Sequence, residues 1–464
     1  MIFMRKVLVT LTGVVVVAAA AWSGLWFYGK GRIAGEIETQ AQLIRDRGGE
    51  AAFDAMEIGG FPFGYEGRIT DPKFSLTQDV TNPDGDGQAQ ATVAWSAPWI
   101  EASADVTNPN SVQFTFPETQ EILLDLPELD GKPLPITLTS QDMTITTESD
   151  GGDILFDGSA TTMGSTFSLE TEKSGTMELA YTMRALETSG RFEDVRSGSE
   201  RPRIAMIYSV DAFDGTGTIA GTPDKPGGRI DFAGGAATGE NSSIGAETTA
   251  MATLDDFTGT FQGAMPGAPP LEMGAGRIEM KTRIPNAASP DPQAFGYRIG
   301  MEDITFADMI WTMIDPQQAF IREINALTLD LEGSAVFVAT PSNTEAFAKA
   351  MQNGLPIDLK TVTLNDLTVD AVGLKATGTG EGALEDGAPR GTATLAVEGF
   401  PTLMNSLVKS GRIPPQQAMV VQLMVESFGR MDADEKTVRF DFEARDGMMY
   451  VNSVPIGEAP MLPQ

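Results

Sequence analysis

The sequence predicts a mainly β (α+β) protein: one N-terminal transmembrane helix, an amphipathic stalk, then long antiparallel sheet or a sandwich with a few short helices. Three observations lead there. Val7 to Tyr28 is a run of 22 residues without a charge, 17 of them apolar. Beyond Gly59 the hydrophobic pattern changes from a helical period to a period of two. Turn residues punctuate that pattern throughout, with 50 glycines in 464 residues.

The leading run comes first. At about 1.5 Å per residue it makes a helix of about 33 Å, enough to cross a hydrocarbon core of about 30 Å. Arg5 and Lys6 precede it, Lys30 and Arg32 follow it, and Trp22, Trp26, Phe27 and Tyr28 supply an interfacial belt. A cleaved signal peptide is the alternative, because Ala18 to Ala21 offers a small-residue cleavage site. Apolar character continuing through Leu25 to Tyr28 favours an uncleaved signal anchor.

Ile33, Ile37, Ala41 and Ile44 then recur at helical spacing, giving an amphipathic stalk with Gly48 and Gly49 at its end or kink. The organisation is therefore 1–30 cytoplasmic tail and anchor, 31–58 stalk, 59–195 first β-rich region and 196–464 second β-rich region. The boundary lies in the polar stretch around Gly190 to Pro202.

Alternating pairs mark half-buried strands: Val112, Phe114 and Phe116; Ile136 and Leu138; Met143 and Ile145; Phe167 and Leu169; Val438, Phe440 and Phe442. Asn82 to Gly87, Asp150-Gly151-Gly152, Asp157-Gly158 and Gly227-Gly228 read as turns, which joins the strands by hairpins and not by helical crossovers. Asp446-Gly447 is the clearest hairpin signal. Echoes at Val210 to Gly217, Leu254 to Thr260, Leu329 to Ser334 and Val369 to Gly373 are irregularly spaced. They indicate a recurrent strand-bulge grammar in place of a solenoid. Helices are expected near 306–326, 343–352, 401–410 and 415–428, their methionines filling core.

Charge is split along the chain. Six basic and three acidic residues lie up to Arg47, and 26 basic and 61 acidic residues follow, for a net charge of −32. The basic part suits anionic lipid and the acidic part stays in water, which argues against a nucleic-acid partner. The expected location is the inner membrane, single-pass, with the C-terminal part in the periplasm and the bilayer as first partner.

The chain has no cysteine and no histidine, so thiolate catalysis, cysteine zinc sites, Ser-His-Asp triads and HExxH sites are excluded. Three partial motifs remain. Ser406 and Lys409 have Ser-x-x-Lys spacing but lack the Lys-Thr-Gly and Ser-Asp-Asn companions. Asn82, Asp84, Asp86 and Gly87 resemble half a calcium loop, with Val93 where the closing Glu belongs. Gly215-Thr216-Gly217 with Ala220 imitates a dinucleotide loop without a surrounding βαβ unit. No catalytic, cofactor-binding or metal residue is assigned, no cofactor is expected, and the chain reads as no enzyme.

Two stretches are more specific. Gly59-Gly60-Phe61-Pro62-Phe63-Gly64-Tyr65-Glu66 leads to Thr70-Asp71-Pro72-Lys73-Phe74, and Leu367 to Gly380 is followed by Gly391 to Leu395 and Glu398-Gly399-Phe400. With Asp446-Gly447 and Val454 to Gly457, the chain resembles the bacterial family of domain of unknown function 2125 over nearly its whole length, more weakly from Gly190 to Ser289. The resemblance implies a membrane-anchored envelope protein of Gram-negative bacteria and carries over no catalytic residue. In outline it is also similar to AsmA-like envelope proteins thought to handle lipid, a likeness of architecture alone. Two functions follow as expectations: a structural or interaction module meeting an envelope partner, or a lipid-binding or lipid-transfer protein with an apolar groove in its sheet.

Overall fold

A computed structural model describes residues 42, 45, 49–59, 64–81, 88–105, 108–127, 132–150, 152–171, 175–193, 203–221, 227–263, 269–340, 357–385, 387–431 and 437–460. The anchor at 7–28, most of the stalk, the turn at 82–87 and the helix expected at 343–352 lie outside them. Among the described residues no helix is long and apolar enough to cross a membrane. The described residues are mainly antiparallel strand with three short helices. The chain forms two compact units, residues 1–238 with 261–269, and residues 239–260 with 270–464.

In the first unit the chain runs up and down in long strands, four of which are interrupted near the middle. Gly64–Thr70 continues as Lys73–Thr81, Gln88–Ser96 as Trp99–Asp105, Asn108–Thr115 as Thr119–Asp125, and Leu134–Gln141 as Thr144–Asp150. Each pairs antiparallel with the next on both sides of its break. Unbroken Asp153–Thr171 then pairs with both halves of its predecessor. The breaks line up. They fall at Asp71-Pro72, Ala97-Pro98, Pro117 and Asp142, and prolines suit these positions because they have no N–H to give a ladder. Their neighbours stay hydrogen-bonded across the line, with Asp71 N–H donating to Pro98 O (2.9 Å) and Ala97 N–H to Pro72 O (3.3 Å).

Folding about that line brings the two half-sheets together around one filled core. Phe114, Val112, Ile145 and Phe156 come from one side, and Ile122, Leu124, Ile136 and Trp95 from the other. Phe114, Ile122, Leu124, Ile136 and Val112 are fully buried. The alternation expected at 112–116, 136–138 and 143–145 is thus the inward register of this core.

Several sequence expectations differ from the structure. Residues 50–58, assigned to the stalk, are strands Glu50–Ala52 and Ala55–Gly59, because Phe53, Met56 and Ile58 pack on the core. Glu193 and Arg203, flanking the expected domain boundary, pair with each other inside the first unit. Asp157-Gly158 lies within Asp153–Thr171 and not in a turn, since Gly158 faces Ile145 and the methyl of Thr188 where a side chain would collide. The helix expected at 306–326 is confined to α1, Asp308–Ile314. Pro316 cannot extend it, the N–H groups of Ala319 and Phe320 turn to the Asp315 carboxylate (2.8 and 2.9 Å), and strand resumes at Ile324–Phe337. Helices α2, Phe400–Lys409, and α3, Pro415–Phe428, stand where expected.

The second unit is an antiparallel meander of Leu271–Pro285, Gln293–Phe306, Ile324–Phe337, Ile357–Ala371, Leu374–Glu385, Ala388–Glu398, Thr437–Arg445, Met448–Val451 and Val454–Glu458. Asp446 (φ 52°) and Gly447 (φ 73°) form the two-residue hairpin turn the sequence signals. The echoes are also visible: Asp211 interrupts a strand, Asp256 has φ 52°, and the register shifts between Asp330 and Leu331, whereas Val372-Gly373 is a tight turn.

Candidate functional site

The register of the second unit sorts its side chains by chemistry. Residues directly opposite in an antiparallel ladder share a face. One row reads Ile299, Leu329, Leu367, Gly378, Leu395, Phe440, and the next reads Tyr297, Leu331, Leu364, Gly380, Ala393, Phe442, Val451. A third reads Phe295, Gly333, Val362, Gly382, Gly391, Ala444, Met449. This whole face is apolar. The reverse face carries Glu332, Thr363, Glu381, Thr392 and Glu443 in one row, and Arg298 between Glu279 (3.2 Å) and Asp330 (3.0 Å).

The apolar face is unlike the core of the first unit. Phe295, Ile299, Leu329, Leu331, Leu364, Leu395, Phe440 and Phe442 are all half-buried, and Tyr297 is 39% exposed. Toward one end the rows dip into a depression of about 260 Å³, walled by Leu359, Val362, Leu384, Pro389, Phe442 and Met449. Gly382 and Gly391 line it: a Cβ on Gly382 would make ordinary contact with its nearest neighbour at 3.5 Å, whereas one on Gly391 would collide with the Glu381 carbonyl. At the opposite end Gly429, just after α3, is packed against Val438 and Phe440.

A larger depression of about 530 Å³ lies on the first unit, lined by Thr144, Thr146, Asp157, Ser159, Glu187 and Tyr208 among others. Its hydroxyls are engaged across strands, Thr144 with Ser159 (3.3 Å) and Thr188 donating to Ile207 O (3.1 Å). It is a polar sheet surface that carries hydroxyls and the carboxylates of Asp157 and Glu187. Among the described residues no three carboxylates are grouped to hold a metal.

The partial motifs are placed as follows. Ser406 is buried in α2, and Lys409 Nζ donates to Gln318 O (3.4 Å), not to the Ser406 hydroxyl. Gly215 and Gly217 lie inside strand Ala212–Ile219, where Gly215 makes room for the Phe232 ring and the Ala180 carbonyl. Val93 is in strand Gln88–Ser96, opposite Leu76 and Leu124. One shifted carboxyl, that of Asp315, has a structural cause. Burial would raise the Asp315 carboxyl, but hydrogen bonds from Phe320 and Ala319, with Arg322 and Lys409 near, outweigh it and hold its pKa below the usual value.

Sequence reasoning did not locate the apolar face. Its signal was present in Gly378, Gly380 and Gly382, three glycines at period two, which belong to a strand face and not to turns.

Two overlapping stretches, residues 26–264 and 209–460, match a bacterial family described as "Uncharacterized protein conserved in bacteria (DUF2125)". No curated protein and no solved structure matches the chain.

Proposed function

Since the chain belongs to the DUF2125 family of bacterial proteins, we propose that it is a membrane-anchored envelope protein whose second unit binds lipid acyl chains along its apolar face. The observation that carries this reading is the contrast between the two units. The first closes its alternating rows around a core of buried side chains, while the second leaves equally apolar rows half-exposed above a glycine-lined hollow. A broad apolar surface in water is costly, and linear hydrocarbon is the ligand that matches its length and its lack of directional groups. The uncharged run Val7 to Tyr28 supports a single-pass location in the inner membrane, with the acidic body in the periplasm. The role is binding and not catalysis, without cofactor or metal.

Photocrosslinking in cells tests it. Benzoylphenylalanine placed at Phe442 on the apolar face forms adducts with alkyne-labelled lipid, and at Thr392 on the reverse face it does not. Equal labelling at both positions, or none at Phe442, overturns the reading.

A second reading, a docking module for an envelope protein, is favoured by the edge strand Val454–Glu458. Its five residues are exposed, and among the described residues it pairs only with Met448–Val451, so its other edge offers strand addition.

A further inference from the structure

Helix α3 is apolar nearly all round and yet stands in solvent. Met419 is 65% exposed, Leu423 and Met424 56% each, and Val420 51%. A helix of that composition is stable when another apolar phase covers it. From Ile413 to Val425 there is no charged residue. Lys409 and Arg412 precede this uncharged run with no acidic residue from Phe400 to Val425, while Glu426 and the acidic residues of 432–435 follow it. Lys409 and Arg412 are fixed at the turn between α2 and α3, bonding to Gln318 O (3.4 Å) and Ile314 O (2.5 Å). That holds exposed Met313 and Ile314 of α1 near the same turn. Two carboxylates near these helices are paired, Asp308 with Arg322 (3.5 Å) and Asp441 with Arg430 (3.6 Å). The C-terminal end of α3 abuts Val438 and Phe440, the last rows of the apolar face.

We propose that α3 and the α2–α3 turn dock on the surface of a lipid bilayer, with Met419, Val420, Leu423 and Met424 in the acyl boundary and Lys409 and Arg412 at anionic headgroups. This surface extends the function proposed above and rests on its membrane location. The docked helix places the apolar face of the second unit in line with the lipid that it would bind. An amphipathic or apolar helix preceded by basic residues is held at such a boundary by buried hydrocarbon and by headgroup charge together.

The chain has no cysteine, so single labels are clean. Full-length Leu423→Cys, carrying an environment-sensitive fluorophore, is reconstituted in vesicles of phosphatidylethanolamine and phosphatidylglycerol, with or without bromine on the acyl chains. Val15→Cys in the anchor and Thr392→Cys on the polar sheet face serve as references. The expected result is severalfold quenching at Leu423 and Val15 and none at Thr392, with quenching at Leu423 reduced by Lys409→Glu with Arg412→Glu. Quenching at Val15 without quenching at Leu423 overturns the docking and leaves the anchored reading standing. No quenching at either position removes both. Concentration-dependent self-quenching at Leu423 without an effect of bromine identifies a second copy of the chain as the occupant and also overturns the proposal.

Discussion

Trp95 donates its indole N–H to the side-chain oxygen of Gln120 at 3.0 Å, and both side chains are buried in the core of the first unit. Gln120 also places its amide nitrogen 3.6 Å from the Met143 sulfur. Gln120→Ala leaves the indole donor unpaired in an apolar surround and opens a void. The expected cost is about 1–3 kcal/mol for the orphaned donor alone, read from the shift of the denaturant midpoint. Trp95→Phe with Gln120→Leu removes both polar partners and is expected to cost less than Gln120→Ala.

Asp71 sits at φ 51° on the line where the strands of the first unit bend. A side chain there pays a steric penalty that glycine does not, and a β-branched one pays most. Asp71→Val is expected to lower stability by about 1–2 kcal/mol, whereas Asp71→Gly stays within about 1 kcal/mol of the native chain, both by equilibrium unfolding. A larger loss for glycine than for valine would show that the aspartate side chain, not its backbone angle, holds the bend.

Gly382 and Gly333 lie in the same row of the apolar face but differ in the space above them. Gly382 has ordinary contact distances to a new Cβ, while Gly333 is pressed against the Thr361 carbonyl. Gly382→Leu is expected to keep the native melting temperature and to reduce lipid photoadduct at Phe442 severalfold by filling the hollow. Gly333→Leu is expected to lower the melting temperature, because backbone has to move.

Asp315 has a folded pKa depressed by the N–H groups of Phe320 and Ala319 and by Arg322 and Lys409, against the opposing effect of burial. A depressed carboxyl adds stability that is complete above its unfolded value of about 3.9 and is lost as pH falls through the folded one. Thermal melts from about pH 6 down to pH 3 should therefore show a smaller acid loss for Asp315→Asn than for the native chain. The variant starts from a lower melting temperature at neutral pH, because one carboxylate oxygen that accepts a backbone N–H has been replaced.

The fold class and many strands were legible because alternation reports burial on one face directly, as at Val112, Phe114 and Phe116. The turn at Asp446-Gly447 was legible because both residues tolerate positive φ. Asn452-Ser453, at φ 46° and 71°, makes an equivalent turn, but serine gives a far weaker signal and it was missed. The extent of α1 was not legible, since Phe320, Ile321 and Ile324 fit a helical spacing and only the Asp315 carboxylate capping two N–H groups shows that the helix has stopped.

The apolar face was hidden for a different reason. It is assembled from Phe295, Leu331, Val362, Ala393 and Phe442, which come from five strands, and on Ile357–Ala371 an extra residue between Leu364 and Leu367 shifts the register against both neighbours. A bulge exchanges the two sides of a strand, so local alternation cannot carry orientation past it.

Within each unit, most long strands bond to the strand immediately before and the strand immediately after them. Width is therefore proportional to chain length. A hairpin duplicated at the end of the second unit would broaden its apolar face by two strands without rerouting any existing connection, and one deleted would narrow it by the same step.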